Sequence, residues 1–267
     1  MSFVEVWLQG LLLVILFFAI IWLWSVILKN ASIVDIFWGT GFIVAGIFYF
    51  IITPGSSIRE MIVMILLAVW GIRLSGHILK RNLGKPEDYR YQEFRKKYGE
   101  NRYWWFSFFQ VFLLQGVLLW LISAPILGVS LNSSGKPFGF IDAIALFFWF
   151  TGFVFEAGGD WQLTRFKSNP ANKGKLLQTG LWKYTRHPNY FGDALIWWGF
   201  ALFSVASGCY LPILSAGLMN FLLLKVSGVA MLERTLKNTK PGFNSYAERT
   251  NAFFPWFPKQ NVKNSEK

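Results

Sequence analysis

The sequence predicts an all-α integral membrane protein, a bundle of about seven transmembrane helices. The amino terminus is expected outside and the carboxyl terminus in the cytoplasm. Three observations predict this. The 267 residues are 54% hydrophobic and only 15% charged, where soluble domains carry about a quarter charged residues. The apolar residues fall in seven long runs, and a spanning helix needs about 20 of them. The basic residues are sorted between the loops so strongly that they set the orientation.

The runs are Val6–Leu28, Ile36–Ile52, Met61–Ile78, Phe108–Leu131, Phe140–Ala157, Tyr190–Ala206 and Tyr210–Met231. The first lacks a basic lead and is longer than a secretory apolar region, so it reads as a retained helix rather than a cleaved signal. The second and sixth are short and interrupted by glycine. With the amino terminus outside, the inside segments hold Lys29, eight basic residues from Lys80 to Arg102, six from Arg165 to Arg186 and seven from Arg234 to Lys267. The outside segments hold Arg59 and Lys136, while Arg73 and Lys225 fall within runs. A net charge of +12 is thereby explained by topology, with no call on nucleic acid. One cysteine, Cys209, and two distant histidines exclude an internal disulfide and argue against a metal site. The absence of an internal repeat argues against an inverted-repeat transporter.

The loop Lys80–Tyr103 carries charges at helical spacing and is expected to hold a short amphipathic helix at the interface. Tyr103, Trp104 and Trp105 then fit an aromatic belt. In the tail, Phe253-Phe254-Pro255-Trp256-Phe257-Pro258 cannot continue a helix. Its aromatic rings are expected against the membrane surface.

Ionisable residues inside apolar runs are functional candidates. Arg73 and His77 lie four apart on the third helix and share a face. Glu156 and Asp160 have the same spacing on the fifth, and two carboxylates there call for a cation, a bound cofactor or a shared proton. Arg186 and Arg73 are candidates for that cation. Asp35 opens the second helix, where an acid also suits the dipole.

The segment Gly180-Leu-Trp-Lys-Tyr-Thr-Arg-His-Pro-Asn-Tyr-Phe-Gly-Asp193 gathers several side-chain chemistries at a helix entrance. Pro188 suits a first helical turn. Free N–H groups there favour an anion, and Lys183, Arg186 and His187 add charge. Trp182 and Tyr184 offer ring faces, and Asp193 an acceptor for a ribose hydroxyl. Together they describe a nucleotide-type cofactor at a membrane face. No G-x-G-x-x-G or P-loop is present, so helices must hold it.

Glu156-x-x-x-Asp160-x-Gln162, Lys173-Gly-Lys175, the 180–193 segment and Trp197-Trp198-Gly199 resemble the DUF1295 membrane proteins. So do Ser32-Ile-Val-Asp35-Ile-Phe-Trp38-Gly39 and Phe254-Pro255-Trp256. Those proteins are related to the carboxyl-terminal domain of steroid 5-alpha-reductases. The resemblance implies one transmembrane domain over 1–267, with 1–131 on the substrate side and 132–267 binding the cofactor. It implies NADPH-dependent reduction of a carbon–carbon double bond beside a carbonyl in a hydrophobic lipid. Cofactor contacts are then expected from Glu156, Asp160, Arg165, Lys175, Tyr184, Arg186, His187, Asn189, Tyr190, Asp193, Tyr246 and Arg249. Asp35, Arg73 and His77 are the candidates to polarise the carbonyl, an acid doing so in its protonated form.

Arg186-His187-Pro188-x-Tyr190-x-Gly192, with Glu233 and Tyr246, is also similar to isoprenylcysteine carboxyl methyltransferases. That implies S-adenosylmethionine at the same entrance. A non-enzymatic lipid carrier or assembly factor is a third reading. The membrane is a bacterial cell membrane, or the endoplasmic reticulum in a eukaryote, with a cytoplasmic active face. The sequence specifies no oligomeric state.

Overall fold

A computed structural model describes residues 2–53, 57–132, 136–226 and 228–259. Helices begin where the sequence supplies caps. Ser2 and Glu5 form a capping box at the start of α1 (Phe3–Leu28). Lys29 closes that helix in the left-handed conformation, with φ 51°. A 3₁₀ stretch, Ala31–Phe37, leads into α2 (Trp38–Ile52). Ser57 caps α3 (Ile58–Asn82), and Asp88 caps the short α4 (Tyr89–Tyr98).

The predicted fourth run starts eight residues earlier, at Glu100 rather than Phe108. It comprises α5 (Glu100–Ser107), a π turn (Phe108–Leu113), α6 (Leu114–Ile122) and α7 (Ala124–Asn132). α8 (Phe140–Ser168) runs past the predicted end at Ala157. α9 is Pro188–Ser207, with Pro188 in the first turn as expected. The last run is broken into α10 (Ile213–Phe221), a π turn (Leu222–Val226) that holds an exposed Lys225, and α11 (Val229–Thr239). α12 (Phe243–Arg249) precedes the tail. Among the described residues there is no strand.

Six helical stretches are long and apolar enough to cross a membrane: Phe3–Leu28, Ala31–Ile52, Ile58–Asn82, Glu100–Leu131, Phe140–Ser168 and Ile213–Thr239. The chain is thus an all-α, multi-pass membrane protein in contact with membrane lipids. α9 covers the predicted sixth run but is less apolar than those six. Leu8, Leu12, Leu16, Ile20 and Ile27 of α1 are all more than half exposed. In lipid that stripe is solvated; in water it would be an aggregation surface. Tyr103, expected in the belt, is instead buried, and Trp104 and Trp105 are exposed.

The chain forms two compact units, Met1–Gly139 with Phe203–Ser215, and Phe140–Leu202 with Ala216–Lys267. In the first, Gly39 and Gly71 bring α2 and α3 into backbone contact; a Cβ on Gly39 would lie 2.1 Å from the Gly71 carbonyl oxygen. The Tyr49 hydroxyl and Ser123 Oγ meet at 3.0 Å deep in that unit. In the second unit α8 and α9 meet through Gly152 and Gly192. A Cβ on Gly192 would lie 2.4 Å from the Gly152 carbonyl oxygen and 2.3 Å from the Glu156 amide. That approach sets the height of every polar residue on the two facing turns.

Candidate functional site

The second unit gathers most of the predicted cofactor residues. Glu156 and Asp160 are buried on α8, a turn apart. Asn189, in the first turn of α9, donates to Asp160 Oδ1 at 3.1 Å. Gly159 makes this possible, because a Cβ there would lie 3.0 Å from Pro188 and 3.1 Å from the Asn189 amide. Asp193 is half-buried one turn further along α9.

The loop before α9 is pinned to α8. Leu181 N–H donates to Gln162 Oε1 at 3.0 Å, and Trp182 Nε1 to the Gly159 carbonyl at 3.1 Å. Gly180, with φ 62°, provides the bend that a side chain would resist. Lys183 lies 5.8 Å from the centre of the Tyr184 ring, and Phe257 meets that ring edge-on.

Arg186 points into the protein. Its guanidinium donates to Glu233 Oε1, with Nη2 at 2.6 Å, and to the carbonyls of Ala247 and Thr250. Its own amide donates to the Asn251 carbonyl at 2.9 Å. His187 Nε2 sits 3.2 Å from the same Glu233 oxygen, and its ring stacks on Tyr190. Thr185 Oγ1 donates to the carbonyls of Ala252 and Phe253, and Trp256 N–H to the Tyr184 carbonyl. The Tyr246 hydroxyl donates to the Trp182 carbonyl. Burial pushes the Tyr246 phenol above its usual range, as does Glu233, while Arg186 opposes. The tail is therefore threaded along residues 182–186. Arg186 is the rivet, with its guanidinium turned to Glu233 and the carbonyls of Ala247 and Thr250. That corrects its expected role as the cation between Glu156 and Asp160.

Exposed cations remain on the same unit: Arg165, Lys173, Lys175 and Lys183. Arg249 is half-buried and donates to Gln178 Oε1 at 3.2 Å. Among the described residues no group of His, Cys, Asp and Glu is placed to hold a metal.

A family model for proteins of unknown function, DUF1295, matches residues 21–250. The chain belongs to the DUF1295 family. The match takes in the whole 180–193 segment and Glu156 and Asp160 of α8. This DUF1295 chain is also similar to an uncharacterized protein of Schizosaccharomyces pombe, at 28% identity over 92% of this chain and 78% of that protein. No solved structure matches it.

The first unit of this DUF1295 protein holds Asp35, Arg73 and His77. Arg73 and His77 are half-buried on α3. Asp35 lies in the 3₁₀ stretch ahead of α2, not in its first turn. It accepts from Arg90 at 3.1 Å and from the Tyr91 hydroxyl at 2.9 Å. Both of its carboxyl oxygens are engaged by these donors. Gln115 Nε2 continues the chain to Tyr91 at 3.2 Å, and Trp38 Nε1 donates to Gln115 Oε1. Sequence reasoning missed Arg90, Tyr91 and Gln115. Gln115, an amide within an apolar run, was the available signal. Tyr91 offered none, since an aromatic residue on an amphipathic helix ordinarily packs.

Proposed function

We propose that this protein is a membrane-embedded NAD(P)H-dependent reductase of a carbon–carbon double bond in a hydrophobic lipid enone. The observation that supports it is the Asp160–Asn189 pair. A carboxylate and an amide are hydrogen-bonded at 3.1 Å where two apolar helices touch through glycine. Polar groups inside an apolar bundle are costly, and they mark sites. Asp160 and Asp193 offer acceptors to ribose hydroxyls or a carboxamide, and Asn189 offers both donor and acceptor. Arg165, Lys173, Lys175 and Arg249 offer cations to phosphates. The residue types therefore fit a dinucleotide, with Tyr184 offering a ring for its base.

A bound nicotinamide supplies a hydride to the alkene carbon remote from the carbonyl, and a proton at the adjacent carbon completes the reduction. The chain's part is to hold the cofactor and keep water away. Asp160 fixes the Asn189 amide, and the Arg186–Glu233 rivet holds the loop that carries Tyr184. The apolar composition of the helices suits a lipid substrate.

A second reading has its own support. Arg186, His187, Tyr190, Glu233 and Tyr246 carry the likeness to isoprenylcysteine carboxyl methyltransferases, and they lie in one contact cluster. It implies S-adenosylmethionine as cofactor.

Thermal unfolding of the detergent-purified chain with NADPH, NADH or S-adenosylmethionine separates the readings. NADPH is expected to raise the melting temperature. Asp160→Ala and Asn189→Ala should each weaken its binding roughly tenfold, the worth of one good hydrogen bond to a charged group. Stabilisation by S-adenosylmethionine alone would move the conclusion to the methyltransferase. No shift with any of the three would overturn both.

A further inference from the structure

We propose that α4 and its elbow into α5 form a docking surface for anionic lipid headgroups. The place is fixed by chain length. α4 is joined to α3 by Leu83–Asp88, six residues that reach at most about 20 Å. It passes straight into α5 through Gly99, at φ 80°. Helices on both sides belong to membrane-spanning stretches. α4 is therefore confined to the level where those stretches leave the hydrocarbon.

Its orientation is fixed by one face. Tyr91 is buried and donates to Asp35. Arg95 meets both oxygens of Glu87, at 3.1 and 3.0 Å, and the Lys29 carbonyl at 3.2 Å. Arg90 is held by Asp88 and Asp35. The inward cations are thus all partnered.

Most of the outward cations have no carboxylate partner. Lys80, Arg81, Lys85, Lys96, Lys97 and Arg102 are exposed, against the exposed carboxylates Glu93 and Glu100. Lys96 pairs with Glu93 at 2.8 Å, but both side chains are mostly exposed, so the pair is worth little. Lys80, Lys85, Lys97 and Arg102 make no ion pair among the described residues. A charge excess alone would only orient the chain. Sorting the cations into a partnered inner face and a free outer face goes further, because it presents an unneutralised positive surface.

The aromatic residues select lipid as the partner. Trp104 and Trp105 are 50% and 40% exposed at the start of the next spanning stretch. Tyr98 stacks on Phe106 at 4.6 Å, and Lys97 lies 5.4 Å from the Tyr98 ring centre. Exposed indole rings at the start of a spanning stretch, a turn or two beyond Lys96 and Lys97 in the chain, match the headgroup region of a bilayer.

The test uses the full chain in nanodiscs of phosphatidylcholine with a minor share of phosphatidylglycerol, extracted for lipid counting by native mass spectrometry. The wild type should retain phosphatidylglycerol over phosphatidylcholine about tenfold, less so in high salt. K85Q/K96Q/K97Q/R102Q should abolish the preference, and R234Q/K237Q on α11 should keep it. E93K/E100K should strengthen it, which covers the case of a quadruple variant that fails to fold. Equal retention in the wild type, an unchanged preference in the quadruple variant, or no gain in E93K/E100K would each overturn the proposal. So would capture of polyanionic RNA without lipid preference.

Discussion

Arg186 is 9% exposed, and its side chain meets one carboxylate, the carbonyls of Ala247 and Thr250 and the Phe243 ring, all within the protein. Removing it strands Glu233 and two carbonyls. R186A is expected to lower stability by about 2–3 kcal/mol, since breaking a mostly buried pair leaves a charge uncompensated. R186K should recover little, because an ammonium lacks the fork that spans Glu233 and two carbonyls. Thermal melts of the purified variants decide it, and an unchanged R186A would refute the rivet. Tyr246 yields a pH-dependent case. Its phenol is held above the ordinary value by burial and by Glu233, so it stays a donor through neutral pH. The sign follows from linkage. The unfolded chain releases this proton near pH ~10 and the folded chain at higher pH, so the contribution is present below pH ~10 and lost as pH rises toward the folded value. Y246F should therefore cost about 1 kcal/mol evenly from pH 6 to 9. It should also show a shallower alkaline loss than the wild type, and parallel curves above pH 10 would sink this account. The motif around these residues was plain in the sequence, but their direction was not. Arg186 looked like an anion receptor because its partners lie some 47 to 65 residues downstream, and no local spacing records that.

Helix pairing explains why glycines that weakened two predicted runs are needed there. Gly192 faces the backbone of Gly152 and Glu156, and neither is a flexible side-chain end that can swing away. Gly192→Ala must push α8 and α9 apart, at a cost of about 1–3 kcal/mol for overpacking. The move also shifts Asp160 against Asn189. The stabilisation by NADPH proposed above should therefore fall by more than the melting temperature alone implies. Gly76→Ala is the matched control, because nothing lies within 4 Å of its Cβ position. In helical α3 that substitution should be neutral or stabilise by up to about 1 kcal/mol. Equal behaviour of the two variants would mean that the close approach is not needed. Hydropathy reads such glycines as interruptions, since it scores transfer from water and not the distance between helix axes. That is also why α9 looked marginal. The first helix was legible almost in full, while the third and fifth were found by their apolar runs but extend beyond them, to Asn82 and Ser168. The break of the last helix at Leu222–Val226 left no mark in composition.

The tail also constrains the passage of the whole chain through the membrane. The Arg186 amide meets the Asn251 carbonyl and the Trp256 amide meets the Tyr184 carbonyl, both at 2.9 Å. Residues 184–186 and 251–256 therefore share one side of the bilayer. The chain between them must cross an even number of times. Ile213–Thr239 is long and apolar enough to cross, so α9 is expected to cross as well. Its 20 residues span about 30 Å, the thickness of the hydrocarbon core. With α9 added to the six stretches the expected count is seven, and the two termini are expected on opposite faces. The split of basic residues then predicts a carboxyl terminus inside. In a bacterial host, alkaline phosphatase fused after Lys267 should be inactive, and the same enzyme fused after Leu211 should be active. Green fluorescent protein should show the reverse at those two positions. Activity of phosphatase at both positions would break the parity argument. It would mean that Ile213–Thr239 does not cross.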